Sequence, residues 1–209
     1  MEDVLDLYAD PADPARPVVC LDECPVQLRD DVRVPPPPAP GRPRRRDYEY
    51  RRCGTACLAV AFDPHRGWRH VTVSERRTKA DFAGWLKDLV DAHYPTAEVI
   101  RLVVDNLNTH TPAALYEAYV PAEARRIARK FEWHYTPKHG SWLNMVEIEL
   151  SVLTSQCLDR RIPDLAALER VTAAYAERRN AEHATVHWRF TTQDARTKLD
   201  HLYPIPQPA

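Results

Sequence analysis

The chain has 209 residues, 44% of them hydrophobic and 28% charged, with a formal net charge of −1. That length suits one domain with a sizeable core and is too short for two full ones. No apolar run approaches the ~18 residues of a membrane span, and the acidic start Met1-Glu2-Asp3-Val4 lacks the basic region of a secretory signal, so a cytoplasmic protein is expected.

Residues 1–16 are acid-rich, carry Pro11 and Pro14, and read as an N-terminal tail. A first strand covers 17–22 and ends on Asp22. Residues 29–47 hold Pro35-Pro36-Pro37-Pro38 and then Arg44-Arg45-Arg46, a stiff polyproline stretch leading into a basic loop. Two strands, 56–62 and 68–73, are joined by Asp63-Pro64-His65-Arg66-Gly67 as a hairpin.

A helix begins at Thr78, with Asp81 placed to complete a capping box. Phe82, Trp85, Leu86, Leu89 and Val90 form its apolar face, and Pro95 ends it. The buried strand 100–104 delivers Asp105. Thr111-Pro112 is expected to be an N-cap followed by proline at the first helical position, with Leu115, Tyr116 and Tyr119 inward. Pro121 breaks that helix before a basic turn through Lys130, and 131–135 is one more strand.

The next helix is expected to start at Ser141 or Trp142 and run to about Leu158, with Leu143, Val146, Leu150, Leu153 and Cys157 on one face. A long helix over 164–180 and a short one over 191–199 complete a mixed α/β sheet with helices on its faces.

Five cysteines, an odd number, argue against a disulfide framework. Cys20/Cys24 and Cys53/Cys57 are CxxxC pairs lying in or beside strands. Structural zinc pairs favour a tight knuckle with two intervening residues, so buried reduced thiols are expected. The near-neutral charge lacks the basic excess of many DNA-binding proteins. Basic residues are nonetheless grouped, at Arg42, Arg44, Arg45, Arg46, Arg51 and Arg52 and again at Arg125, Arg126, Arg129 and Lys130.

Asp22 and Asp105 each end an apolar strand, where parallel sheets present active-site groups. Aspartate also suits strand exits as plain turn chemistry. Carboxylates are the hard oxygen donors that Mg²⁺ and Mn²⁺ prefer, and a pair of such ions can drive phosphoryl transfer. A third acid lies on the helix after Ser141, but periodicity does not choose between Glu147 and Glu149.

The run Val103-Val104-Asp105-Asn106-Leu107-Asn108-Thr109-His110, with His134-Tyr135-Thr136-Pro137-Lys138-His139-Gly140-Ser141-Trp142-Leu143-Asn144-Met145-Val146-Glu147, closely resembles the DDE transposases of bacterial insertion sequences in the mariner superfamily. The likeness extends from about Pro17 to Pro204 and includes Trp188-Arg189-Phe190-Thr191-Thr192. It implies an RNase H-like five-stranded mixed sheet as one catalytic domain over 17–204, with a tail at 205–209.

The same resemblance implies Asp22, Asp105 and Glu147 as catalytic and metal-binding acids for two Mg²⁺ or Mn²⁺ ions, which selects Glu147 over Glu149. Glu23, Asn106, His110 and Asn144 are implied as supports. His110 either reaches the scissile phosphate or caps the following helix, and Asn144 either positions its helix or touches substrate. Arg44, Arg45, Arg46, Arg51, Arg52, Lys138 and His139 are expected DNA contacts. The implied activity is cleavage at transposon ends and strand transfer into target double-stranded DNA, by a homodimer on the nucleoid. The alternative is a degenerate remnant that binds DNA or a partner transposase. The spacing from Asp105 to Glu147 is wider than is common in that superfamily, so the stretch around Pro121 is expected to loop out. Relatives carry an N-terminal helix-turn-helix for which there is no room before Pro17, so a separate DNA-recognition region is expected.

Overall fold

A computed structural model describes residues 1–33, 38–41, 43 and 47–203. In chain order the elements are α1 (Glu2–Ala9), β1 (Val18–Asp31), β2 (Tyr50–Asp63), β3 (Trp68–Ser74), α2 (Lys79–Asp88), β4 (Ile100–Val104), α3 (Ala113–Ala118), α4 (Pro121–Ala128), β5 (Phe131–Tyr135), α5 (Val146–Leu153), α6 (Leu165–Ala181) and α7 (Thr192–Lys198). The strands form one five-stranded sheet in the order β3-β2-β1-β4-β5. The β1–β2 and β2–β3 pairs are antiparallel, while β1–β4 and β4–β5 are parallel.

Side chains alternate between the faces of a strand, and here both faces are covered. Val18, Cys20, Leu58, Val60, Phe62 and Val103 pack with α1, α5, α6 and α7. Val19, Leu21, Ala59, Ala61, Ile100, Leu102 and Val104 pack with α2, α3 and α4. The short strand β4 lies inside the sheet and β5 at its edge; all five residues of β4 are buried, four of them apolar, with the buried Arg101 paired to Asp10 and the Arg16 carbonyl.

Several local expectations hold. Thr78 and Asp81 form a reciprocal capping box on α2, and Asp164 caps α6 by accepting from the Ala167 amide. Asp63 closes the β2–β3 turn through the amides of His65 and Arg66. Gly67 in that turn takes φ +63, and a Cβ there would lie 2.5 Å from the His183 carbonyl oxygen, so only glycine lets the turn meet the end of α6.

Others need correction. Residues 1–16 are not wholly a tail, because Val4, Leu5, Leu7 and Tyr8 of α1 are buried in the core. β1 and β2 each run 14 residues, and their outer halves pair only with each other. α3 begins at Ala113 with Pro112 in the cap position and no side-chain cap, so Thr111 is not the N-cap. Tyr116 is half exposed rather than inward. The helix bearing Glu147 begins at Val146, after a separate 3₁₀ turn over Ser141–Leu143.

Candidate active site

The parallel register pairs Val18 with Arg101 and Cys20 with Val103. Carried two residues further, it brings Asp22 on β1 alongside Asp105 at the exit of β4. Strand alternation then sends neighbouring acids to opposite faces. Asp22 shares the α5 side with Cys20, while Glu23 shares the α2–α3 side with Leu21.

On that second side a buried histidine joins two acids. His110 Nε2 lies 2.9 Å from Glu23 Oε1 and its Nδ1 lies 2.5 Å from Asp105 Oδ1. The imidazole stacks on Phe82 with ring centres 4.6 Å apart. Burial acts to lower the His110 pKa, but the bonds to Glu23 and Asp105 outweigh it and hold the pKa above the ordinary value. Asp105 also accepts from the Leu107 amide at 3.2 Å, which folds the Asp105–His110 loop back on its own carboxylate.

On the first side, Asn144 ties α5 to the end of β1. It is fully buried, its Nδ2 donates to the Leu21 carbonyl at 3.1 Å, and the Glu147 amide bonds its own carbonyl at 3.0 Å. Asn144 itself is extended, at φ −79 and ψ 109, so the chain leaves the 3₁₀ turn there and the helix starts later than its apolar face suggests. Glu147 is left half-buried on the first turn.

Glu149 goes elsewhere. It is 1% exposed, accepts from Tyr175 Oη at 2.6 Å, and its Oε1 sits 3.0 Å from Arg69 Nε. That last contact is an ion pair without hydrogen-bond alignment. Arg179 reaches the other oxygen at 3.2 Å.

Asp22 carries the electrostatic signature of the site. Burial, followed by the charges of Asp105, Glu147 and Glu23, pushes its pKa up to about 7, against the pull of the Glu23 amide bonded to it. Mutual repulsion among carboxylates in a poorly hydrated place is what a bound cation relieves. The donor set is all hard oxygen and fits Mg²⁺ or Mn²⁺. Among the described residues, no three His, Cys, Asp or Glu side chains converge on a single ion position. Asp105 instead gives one oxygen to His110.

A raised carboxylate pKa means that the folded state holds its proton more tightly than the unfolded chain. Stability from this group is then full below about pH 4 and lost as pH rises toward about 7. The metal-free Asp22→Asn variant is accordingly expected to be more stable than the parent at pH 8, by about 1–2 kcal/mol after screening. The two should converge at pH 4. Urea titrations at both pH values check this, and equal curves at pH 8 would show that Asp22 bears no such burden.

The remaining predicted residues among those described face solvent. Asn106, Lys138, His139, Arg51 and Arg52 are exposed, and Arg51 pairs with Asp30 at 2.6 Å. His139 takes φ 64. Gly140 beside it leaves no room for a Cβ, which would lie 2.7 Å from Pro137 Cγ. Arg44, Arg45 and Arg46 lie outside the described residues. In the second basic group, Arg126 is tied to Glu123 and Asp91 and Lys130 to the Ala97 carbonyl. All five cysteines are free thiols. No described helix is long and apolar enough to cross a membrane.

No curated protein matches the chain in sequence. Among solved structures it is similar to the Mos1 mariner paired-end complex with Mn, at TM-score 0.58 and 16% identity over 86% of this chain and 53% of that one. The Mos1 strand transfer complex gives TM-score 0.54 and 15% identity over 88% and 59%. This chain thus spans little more than half of those transposase chains, and at such identity the likeness shows the fold, which is RNase H-like. The sequence profile of the DDE superfamily endonucleases matches residues 17–169, and the chain belongs to that family.

Proposed function

We propose that residues 17–204 form the catalytic domain of a transposase from a bacterial insertion sequence of the mariner superfamily, with α1 packed onto it. It would cleave phosphodiesters at transposon ends and join the freed 3′-hydroxyl to target DNA. What supports this reading is the match of residues 17–169 to the DDE superfamily endonucleases, together with the parallel β1–β4 register that carries Asp22 toward Asp105.

Asp22, Asp105 and Glu147 are the residues that would hold two divalent ions. Such a pair, when bound, supplies activation of the attacking hydroxyl and charge neutralisation at the leaving oxygen. Glu23 and His110 act by fixing Asp105: the imidazole, clamped between two carboxylates, sets the direction of one Asp105 oxygen and excludes water from that side. Asn144 acts by holding the first turn of α5 against β1. Asn106 stands at the solvent side of Asp105, where substrate would approach.

Calorimetric titration with Mn²⁺ and Mn²⁺-dependent nicking of supercoiled plasmid test this directly. Two bound ions with nicking are expected. The alternative, a remnant that binds DNA or a partner transposase without cutting, draws on the absence of a converged three-residue site among the described residues. Neither ion binding nor nicking would decide for it.

Arg44, Arg45, Arg46, Arg51, Arg52, Lys138 and His139 are the proposed phosphate contacts, in a homodimer acting in the cytoplasm on the nucleoid with a separate DNA-recognition region. Of these, Arg52 and Lys138 are exposed and are the cleanest to test. Reversing both to glutamate is expected to weaken DNA binding and to flatten the dependence of log K on log salt by about one per lost phosphate contact. Fluorescence anisotropy over a salt series reads it, and an unchanged slope removes both residues from the interface.

A further inference from the structure

We infer that Tyr8, on the N-terminal helix, is a positioning residue for the active site, because its hydroxyl takes the amide that opens the Glu147 helix and ties it to the preceding turn. The inference rests on Glu147 being a site acid. A helix leaves its first amides without internal partners; α5 has no side-chain cap from its own N-cap residue, Met145, and its Val146 amide reaches Asn144 Oδ1 only at 3.5 Å. The Met145 amide instead donates to Tyr8 Oη at 3.3 Å. Tyr8 Oη in turn donates to the Leu143 carbonyl at 2.8 Å. One phenol therefore bridges both sides of the break between the 3₁₀ turn and α5, at the point where Asn144 reaches across to β1.

The same oxygen sits 3.4 Å from Cys20 Sγ, two residues before Asp22 on β1. Tyr8 thus touches the segment that presents each of two site acids. Its ring is held by Trp188, with centroids 5.4 Å apart. The helix that carries it is itself anchored, since Glu2 takes both Nε and Nη2 of Arg196 on α7 at 2.7 Å and Asp3 meets His134 of β5 at 2.9 Å. Tyr8 is buried, so it acts through the turn it holds.

Tyr8→Phe keeps the ring against Trp188 and deletes the bridge. In metal-free protein, amide exchange at Met145 and the adjoining first turn of α5 is expected to quicken by roughly tenfold or more, the scale of one lost hydrogen bond, with core amides of β4 unchanged. In the nicking assay kcat is expected to fall while KM for DNA stays constant, and Mn²⁺ affinity should drop several-fold. A role in stability alone would lower the melting temperature and leave kcat and Mn²⁺ affinity of the folded protein where they were. Parental exchange at Met145 overturns the inference whatever the ions do. If exchange quickens but kcat and Mn²⁺ affinity match the parent, Tyr8 is structural only and the inference also falls. Should the parent itself neither bind Mn²⁺ nor nick, the transposase reading fails, and the exchange data still decide whether Tyr8 holds the turn. If Tyr8→Phe does not fold, 3-fluorotyrosine at position 8, a weaker acceptor of the same shape, is expected to give the same changes in smaller measure.

Discussion

Asp105→Asn is expected to abolish Mn²⁺-dependent nicking, by at least ~10²-fold, while leaving the protein folded. The size follows from comparison: outer partners of metal ligands typically cost 10–100-fold when removed, and a ligand should cost no less than the top of that range. Folding should survive because Asp105 lies after the last residue of β4 and keeps about a third of its side chain in solvent. Asparagine retains an oxygen that can accept from the Leu107 amide, the bond that shapes this loop. It loses the negative charge that Asp22 feels as repulsion and also the charge that bonds the buried His110, two opposed effects, so the metal-free variant should differ from the parent by no more than about 1–2 kcal/mol. Plasmid nicking and a urea titration on the same preparation separate the two quantities. Parental nicking by a folded variant would remove Asp105 from the chemistry.

What the sequence made legible was chiefly local. The capping box of Thr78 and Asp81 joins groups three residues apart, and the apolar run of β4, broken only by Arg101, reports its burial on both faces. α1 was hidden because Glu2, Asp3 and Asp6, with Pro11 and Pro14 following, look like a solvated tail. The spacing of Val4, Leu5, Leu7 and Tyr8 was the available signal for a helix with one apolar face. The start of α5 was hidden for a different reason: Asn144 breaks the helix with an extended backbone while its side chain binds the Leu21 carbonyl, a contact between segments far apart in sequence. Asp22 and Asp105 stood out as acids ending apolar strands, while only family likeness, not periodicity, chose Glu147 over Glu149. What coordinates add is the division of labour between Asp22 and Glu23, adjacent in sequence yet facing opposite sides of the sheet, one toward α5 and the other toward His110.

Glu147 and Glu149 separate site from scaffold more sharply than any other pair, because the same substitution should have opposite effects two residues apart. Glu149→Gln is expected to cost about 3 kcal/mol or more, the scale for removing one partner of a buried ion pair. It would leave the Arg69 guanidinium, also 1% exposed, without its countercharge. Arg69 cannot turn to water for relief, since its other nitrogens are bound to the Gly67 and Ala184 carbonyls and Asn180. Arg179 on α6 would lose the same partner, so the tie between β3, α5 and α6 should loosen. Glu147→Gln should cost less than ~0.5 kcal/mol, as expected for a substitution that breaks no buried pair. It also removes a charge that Asp22 feels as repulsion. Nicking should fall at least ~10²-fold in Glu147→Gln, as for any direct ligand, and persist in whatever fraction of Glu149→Gln remains folded. Urea midpoints and nicking rates per folded molecule give both numbers. A destabilised Glu147→Gln that still nicks per folded molecule, beside a stable but inactive Glu149→Gln, would mean that the helix presents the other glutamate to the site, and the assignment of the third acid would have to be reversed.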